Sequence, residues 1–123
     1  MLTELPNNLN NLKELYCYRN QLIELPNNLN NLIKLKCYKN QLTSLDVSKN
    51  VALTYLFCEI NQLTTLDVSK NVALTNFGCY SNQLTSLDGC PKSVAGYFSC
   101  NSNQLTSLEG CPQWVGGHFG GYF

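Results

Sequence analysis

The chain has 123 residues, of which 44% are hydrophobic and 13% are charged, and its formal net charge is zero. This length fits one domain, and we predict a single domain over residues 1–123 with the composition of a folded globular protein. A neutral chain has no overall attraction to nucleic acid or to an anionic membrane, so such partners would need a local charged patch.

The N-terminal segment MLTELPNN lacks the basic start and the apolar core of a secretory signal peptide. No apolar run approaches the roughly 20 residues that a membrane-spanning helix requires. We therefore expect a cytoplasmic protein with no membrane partner, and secretion by another route stays open.

An eleven-residue frame organises the chain, because it recurs at a spacing of 20 or 21 residues. Its copies are LKELYCYRNQL from Leu12, LIKLKCYKNQL from Leu32, LTYLFCEINQL from Leu53, LTNFGCYSNQL from Leu74, the divergent AGYFSCNSNQL from Ala95 and the partial GGHFGGYF from Gly116. Such a period indicates one supersecondary unit stacked on copies of itself.

Within each copy, the residues around LxC alternate with a period of two, as in a half-buried strand. In the second copy this places Leu35 and Cys37 inward and Lys34, Lys36 and Tyr38 outward. The asparagine of each copy follows where the chain must turn, and its amide can bond with backbone groups of neighbouring turns. We therefore expect an asparagine ladder made by Asn20, Asn40, Asn61, Asn82 and Asn103.

The frame LxxLxCxxNQL resembles the conserved segment of the leucine-rich repeat family, with Cys where the commonest version has a third Leu. The resemblance covers essentially the whole chain as about six repeats, the last one truncated. It implies an α/β-type but mostly β repeat solenoid, a right-handed horseshoe or arc. Its parallel β-sheet would line the concave face, with short 3₁₀ or extended segments on the convex side, because no copy has the periodic run of a full helix.

The segments between frames come in three types. LPNNLNN (5–11, 25–31) is similar to repeats of bacterial effector proteins, LDVSKNVAL (45–53, 66–74) is similar to repeats of bacterial surface and secreted proteins, and the third type reads LDGCPKSV and LEGCPQWV (87–94, 108–115). This mixture fits either a natural mosaic or a designed array. Neither end resembles a capping unit with a polar outer face, so we expect copies of the chain to associate end to end.

Seven cysteines are present, and five of them, Cys17, Cys37, Cys58, Cys79 and Cys100, share one repeat position. On neighbouring parallel strands they would stack roughly 4.8 Å apart as buried thiols. Cys90 and Cys111 stand beside prolines and are expected to pack at a corner. The chain lacks CxxC pairs and has His118 as its one histidine, so we predict no metal and no cofactor.

Acidic residues also recur at a 21-residue spacing, as Asp46, Asp67, Asp88 and Glu109. A column of carboxylates could in principle hold Ca²⁺, but calcium needs six to eight oxygens from a wrapped loop. Each acid precedes a turn, and we predict that it caps free backbone N–H groups there.

The outward strand positions are rich in tyrosine. We predict a binding surface made by Tyr16, Tyr18, Lys34, Lys36, Tyr38, Tyr55, Phe57, Glu59, Tyr80, Tyr97 and Tyr122. Aromatic side chains supply rigid contact area with a polar tip, as recognition surfaces do. The same residues would also stabilise the sheet as cross-strand pairs, and both interpretations stay open.

No nucleophile has a recognisable base and orienting group, so we predict that the chain is not an enzyme. The leading hypothesis is a scaffold that binds a protein or peptide through its concave strand face. The first alternative is a designed scaffold with no evolved partner, and the second is glycan or nucleic-acid binding. Nucleic acid is disfavoured because the basic patch around Lys34, Lys36 and Lys39 is small.

Overall fold

In a computed structural model, which describes residues 1–120, the chain is a mostly-β solenoid of parallel strands. Its strands are β1 (Glu14–Tyr16), β2 (Lys34–Lys36), β3 (Tyr55–Phe57), β4 (Asn76–Gly78), β5 (Ser93–Val94), β6 (Phe98–Ser99), β7 (Trp114–Val115) and β8 (Phe119–Gly120). Six of them form one sheet in the order β1-β2-β3-β4-β6-β8. Residues 1–120 contain no helix.

The strands pair at equivalent positions of the repeat. Leu15 lies opposite Leu35, Leu35 opposite Leu56, and Leu56 opposite Phe77. A shift by one residue would turn every inward side chain toward solvent, so the hydrophobic frame fixes the register. The predicted stacking of repeats in a parallel sheet is confirmed.

The cysteine column predicted from the frame lies in the core. Its five members are buried and form no disulfide, namely Cys17, Cys37, Cys58, Cys79 and Cys100. Desolvation raises the pKa of Cys58 well above its ordinary value. Cys90 and Cys111 are half-buried and pack against the same core, as expected for corner residues.

The asparagine ladder is also present. Asn61 donates to the carbonyl oxygens of Cys37 and Cys58, both at 3.1 Å, and its Oδ1 accepts from the amide of Leu42 at 3.0 Å. Asn40, Asn82 and Asn103 repeat this arrangement. Each amide thus ties its own turn to the preceding one.

The residue before each asparagine of the ladder has left-handed backbone geometry, as at Ile60, where φ is 55°. This geometry is unfavourable for a β-branched residue, so it persists only where the surroundings hold it. The bonds made by Asn61 on either side of the turn provide that support.

Turns and extended stretches form the side opposite the main sheet. The second repeat type turns through bonds such as Asn71 N to Val68 O at 2.9 Å, and Asn71 donates from its side chain to Val47 O at 2.9 Å. In the third type, β5 and β7 pair as a second parallel sheet that the sequence did not predict. Val94 of β5 is fully buried and completes the core there.

The acidic column caps turns at two of its four positions. Asp46 Oδ1 accepts from the hydroxyl of Ser48 at 2.6 Å and from its amide at 3.0 Å, and the hydroxyl bond in particular lowers the pKa of Asp46. Asp67 accepts from the amide of Ser69 at 2.9 Å. Within residues 1–120, Asp88 and Glu109 accept no such bond, because the amides at the equivalent positions, those of Cys90 and Cys111, donate instead to the carbonyl oxygens of Leu87 and Leu108, both at 3.1 Å. The capping prediction is wrong for those two.

Candidate functional site

The outward side chains of the six-stranded sheet, here called the strand face, carry the predicted binding residues. Tyr16 is 49% exposed and Tyr18 is 40% exposed. Seven more lie half-buried on the same face, and they are Lys34, Lys36, Tyr38, Tyr55, Phe57, Tyr80 and Tyr97. The structure therefore brings these residues together. Tyr122 lies outside the described residues.

The two lysines of β2, Lys34 and Lys36, lie over aromatic rings. Lys36 Nζ is 4.8 Å from the centre of the Tyr16 ring and 5.9 Å from that of Phe57. Lys34 Nζ is 4.9 Å from the centre of the Tyr55 ring and 3.9 Å from the carboxylate of Glu14. These contacts hold the ammonium groups of Lys34 and Lys36 against the sheet, and of the predicted basic patch only Lys39 is exposed.

Tyr18 and Tyr38 stack on neighbouring turns, with ring centres 4.6 Å apart and an interplanar angle of 4°. The expected cross-strand pair is confirmed. Such a pair stabilises the array and also fixes both rings in place, so the structural and the recognition interpretations are compatible.

Towards the other end of the sheet, rings converge above β4. Phe57 on β3 and Tyr97, which directly precedes β6, lie either side of it, with ring centres 6.1 Å apart. Tyr97 also stacks on His118 at 5.8 Å. Beneath these rings, β4 contributes Gly78, which leaves room that a side chain occupies at the equivalent positions Tyr16, Lys36 and Phe57.

Glu59 fills that room, and here the structure corrects the prediction of an exposed residue. Its exposed fraction is 6%. A Cβ added at Gly78 would overlap the Glu59 carboxylate and lie 3.2 Å from Cδ1 of Phe57. The carboxylate is therefore buried because the neighbouring strand has no side chain beneath it.

The environment of Glu59 is poor in compensating groups. Within the described part of the chain, Glu59 Oε2 is buried without a hydrogen-bond partner, and the hydroxyl of Ser99, opposite Gly78 on β6, is in the same state. Burial raises the pKa of Glu59 to about 7. Buried polar atoms are nearly always paired, so two unpaired ones on a candidate surface are notable.

A glycine at an outward strand position is the sequence signal that could have located this site. Glycine weakens a strand and often marks a place where another group approaches closely. Read with the register, Gly78 lies opposite Phe57 and therefore next to the turn that carries Glu59.

A separate cavity of about 590 Å³ lies away from the strand face, between the second and third repeats. Its walls include Leu25, Leu29, Leu45 and Val47. It forms where LPNNLNN is followed by LDVSKNVAL, so that segments of different shape meet. No pattern in the sequence indicated it.

Comparison with known proteins gives one informative match. No family model and no curated protein matches the chain. The solved structure of the functional domain of InlJ from Listeria monocytogenes, which includes a cysteine ladder, matches with a TM-score of 0.78 and 35% identity over 87% of this chain. The chain is a leucine-rich-repeat-like solenoid. It spans 24% of the length of that InlJ structure.

Solenoids of this kind typically present extended binding surfaces. Among residues 1–120, no helix is long and apolar enough to cross a membrane, and no group of three or more metal-binding side chains comes together.

Proposed function

We propose that this solenoid is a non-enzymatic binding module that recognises a protein or peptide through its strand face. The observation that carries the proposal is the row of aromatic rings held side by side by the sheet register, with Tyr18 stacked on Tyr38 and Phe57 against Tyr97. Rings fixed in this way lose little conformational entropy when a partner binds.

The character of the thiols supports a binding role over catalysis. A nucleophilic cysteine needs a lowered pKa and access to solvent. Burial raises the pKa of Cys37, Cys58 and Cys79 well above the ordinary value, and all three side chains are fully covered. His118 is stacked against Tyr97, which places it in the aromatic surface.

A four-residue variant tests the proposal. Peptides would be selected against the wild-type chain by display, and the affinity of the best one would be measured by calorimetry for the variant with Tyr38, Tyr55, Phe57 and Tyr80 changed to serine. Truncating a few central aromatic anchors costs at least about 2 kcal/mol, so we expect an affinity loss of at least about 30-fold.

A matched control changes four exposed apolar residues away from the strand face to serine, namely Ile23, Val51, Val72 and Trp114. This control should keep the wild-type affinity, and both variants should keep the circular dichroism spectrum of the wild type. Equal affinity of the wild type and the strand-face variant would refute the proposal.

A further inference from the structure

Glu59 has the properties of a binding group that lacks its ligand. Its carboxylate lies on the strand face above Gly78, at the edge of the Phe57 ring, with Oε2 unpaired. The hydroxyl of Ser99, across Gly78, is a second buried oxygen without a partner. An isolated buried carboxylate is costly, and the cost is recovered when an opposite charge with hydrogen-bond donors reaches it.

No cation of the chain itself fills this role within residues 1–120. Lys36 is held over the rings of Tyr16 and Phe57, and Lys34 pairs with Glu14. Lys39 is bonded to Glu59 through the backbone, N to O at 2.9 Å, while its side chain forms no ion pair in the described part. The carboxylate therefore stays available to a charge brought by a partner.

The aromatic surroundings favour a particular kind of cation. Lysine and arginine head groups are attracted to ring faces, and arginine can also bond a carboxylate through two N–H groups. Phe57 and Tyr97 lie on the same face of the sheet as Glu59, and the half-buried Tyr80 occupies the equivalent position one repeat later. Hydrated metal ions gain less here, because they require several oxygens.

From this arrangement we infer that Glu59, seated over Gly78 among aromatic rings, anchors a lysine or arginine side chain of a protein or peptide partner. The inference rests on the proposed function and specifies the chemistry of the partner. Because Oε2 is covered in the free protein, a neighbouring side chain must move as the incoming head group binds.

Binding of a cation at this site depends on pH, since only the ionised carboxylate attracts it. Burial raises the pKa of Glu59 to about 7, so ionisation is incomplete at neutral pH. The other groups around it are Lys36, Tyr38 and Lys39 on the preceding turn, Tyr80 on the following turn, and the cysteine column beneath, with Cys37, Cys58 and Cys79. Burial raises the pKa of Tyr80 and of these thiols, so they stay neutral between pH 6 and 8.

Nuclear magnetic resonance can test the site with small probes. Nα-acetyl-lysine amide and Nα-acetyl-arginine amide would be titrated into the protein at constant ionic strength, with Nα-acetyl-norleucine amide as the neutral match. We expect saturable shifts of the Glu59 carboxyl carbon and the Gly78 amide with the two cationic probes. The apparent affinity should rise about tenfold from pH 6 to pH 8, as the ionised fraction of a group with a pKa of about 7 does.

Three variants sharpen the test. Glu59→Gln should abolish the shifts, whereas Glu14→Gln, on the same face, should leave them unchanged. Gly78→Ala should expel the carboxylate and weaken the binding at least tenfold, because the added Cβ overlaps it. Equal shifts with the norleucine probe, unchanged binding by Glu59→Gln, or no binding of either cation would each overturn the inference.

These outcomes are separable from failure of the proposed function. A display-selected peptide that needs the four aromatic residues but binds Glu59→Gln as tightly as wild type would refute the Glu59 anchor and leave strand-face recognition standing. If the cationic probes bind at Glu59 but the selected peptide binds the four-residue variant as tightly as wild type, strand-face recognition through the aromatic residues is refuted. The cation site at Glu59 then stands.

Discussion

Replacing Asn61 with alanine is expected to lower the free energy of unfolding by about 3 kcal/mol, because it leaves the buried amide of Leu42 unpaired, at about 1–3 kcal/mol, and removes two further buried hydrogen bonds, at about 1 kcal/mol each. The carbonyl oxygens of Cys37 and Cys58 each lose one of two bonds, since Asn40 and Asn82 still donate to them. The left-handed turn at Ile60 also loses its support. Urea denaturation followed by circular dichroism measures the change.

Asn20 provides the matched control. It occupies the same repeat position but is half-exposed, and it bonds within its own turn and to the exposed amide of Leu2. Water can replace those bonds, so Asn20→Ala should cost about 1 kcal/mol. Equal losses for the two variants would show that the ladder does not stabilise the array through its buried links.

The second large effect concerns pH. Glu59 has a pKa of about 7 in the folded chain against an ordinary value of 4.5, so the folded state holds more protons than the unfolded state between these values. Stability therefore falls as pH rises through this window, by up to about 3 kcal/mol at 1.36 kcal/mol per pKa unit. Below pH 4.5 both states are protonated and the cost vanishes.

Unfolding free energies measured from pH 4 to pH 8 in wild type and Glu59→Gln test this expectation. In the variant, the free energy of unfolding should fall far less than in wild type as pH rises from 4.5 to about 7. The variant should also be more stable than wild type at pH 8. Asp46 does not contribute to this decline. Its pKa is lowered in the folded state, so the stability that it supplies is lost only at more acidic pH. Parallel pH profiles in the two proteins would contradict a buried, unpaired carboxylate.

The repeat frame made most of the fold predictable. Each copy carries the same inward leucine and cysteine and the same turn asparagine, so agreement among copies fixed the strands, their register, the cysteine column and the asparagine ladder. The resemblance to leucine-rich repeats added the solenoid. These features depend on what the copies share.

Features that depend on differences between copies were not predicted. The burial of Glu59 depends on Gly78 in the next strand, where the preceding copies have Tyr16, Lys36 and Phe57, so the shared frame does not reveal it. The β5–β7 sheet consists of two-residue strands, too short to show a period of two. The cavity beside Leu29 and Val47 arises where two repeat types meet, and neither type contains it alone.

Chemical-shift mapping of a display-selected peptide on the isotope-labelled chain tests recognition through the strand face most directly. We predict that the largest shifts fall on strand-face residues around Tyr38, Phe57 and Glu59. Shifts concentrated on the opposite side, around the cavity lined by Leu25 and Val47, would contradict the account and place recognition at the junction of the repeat types.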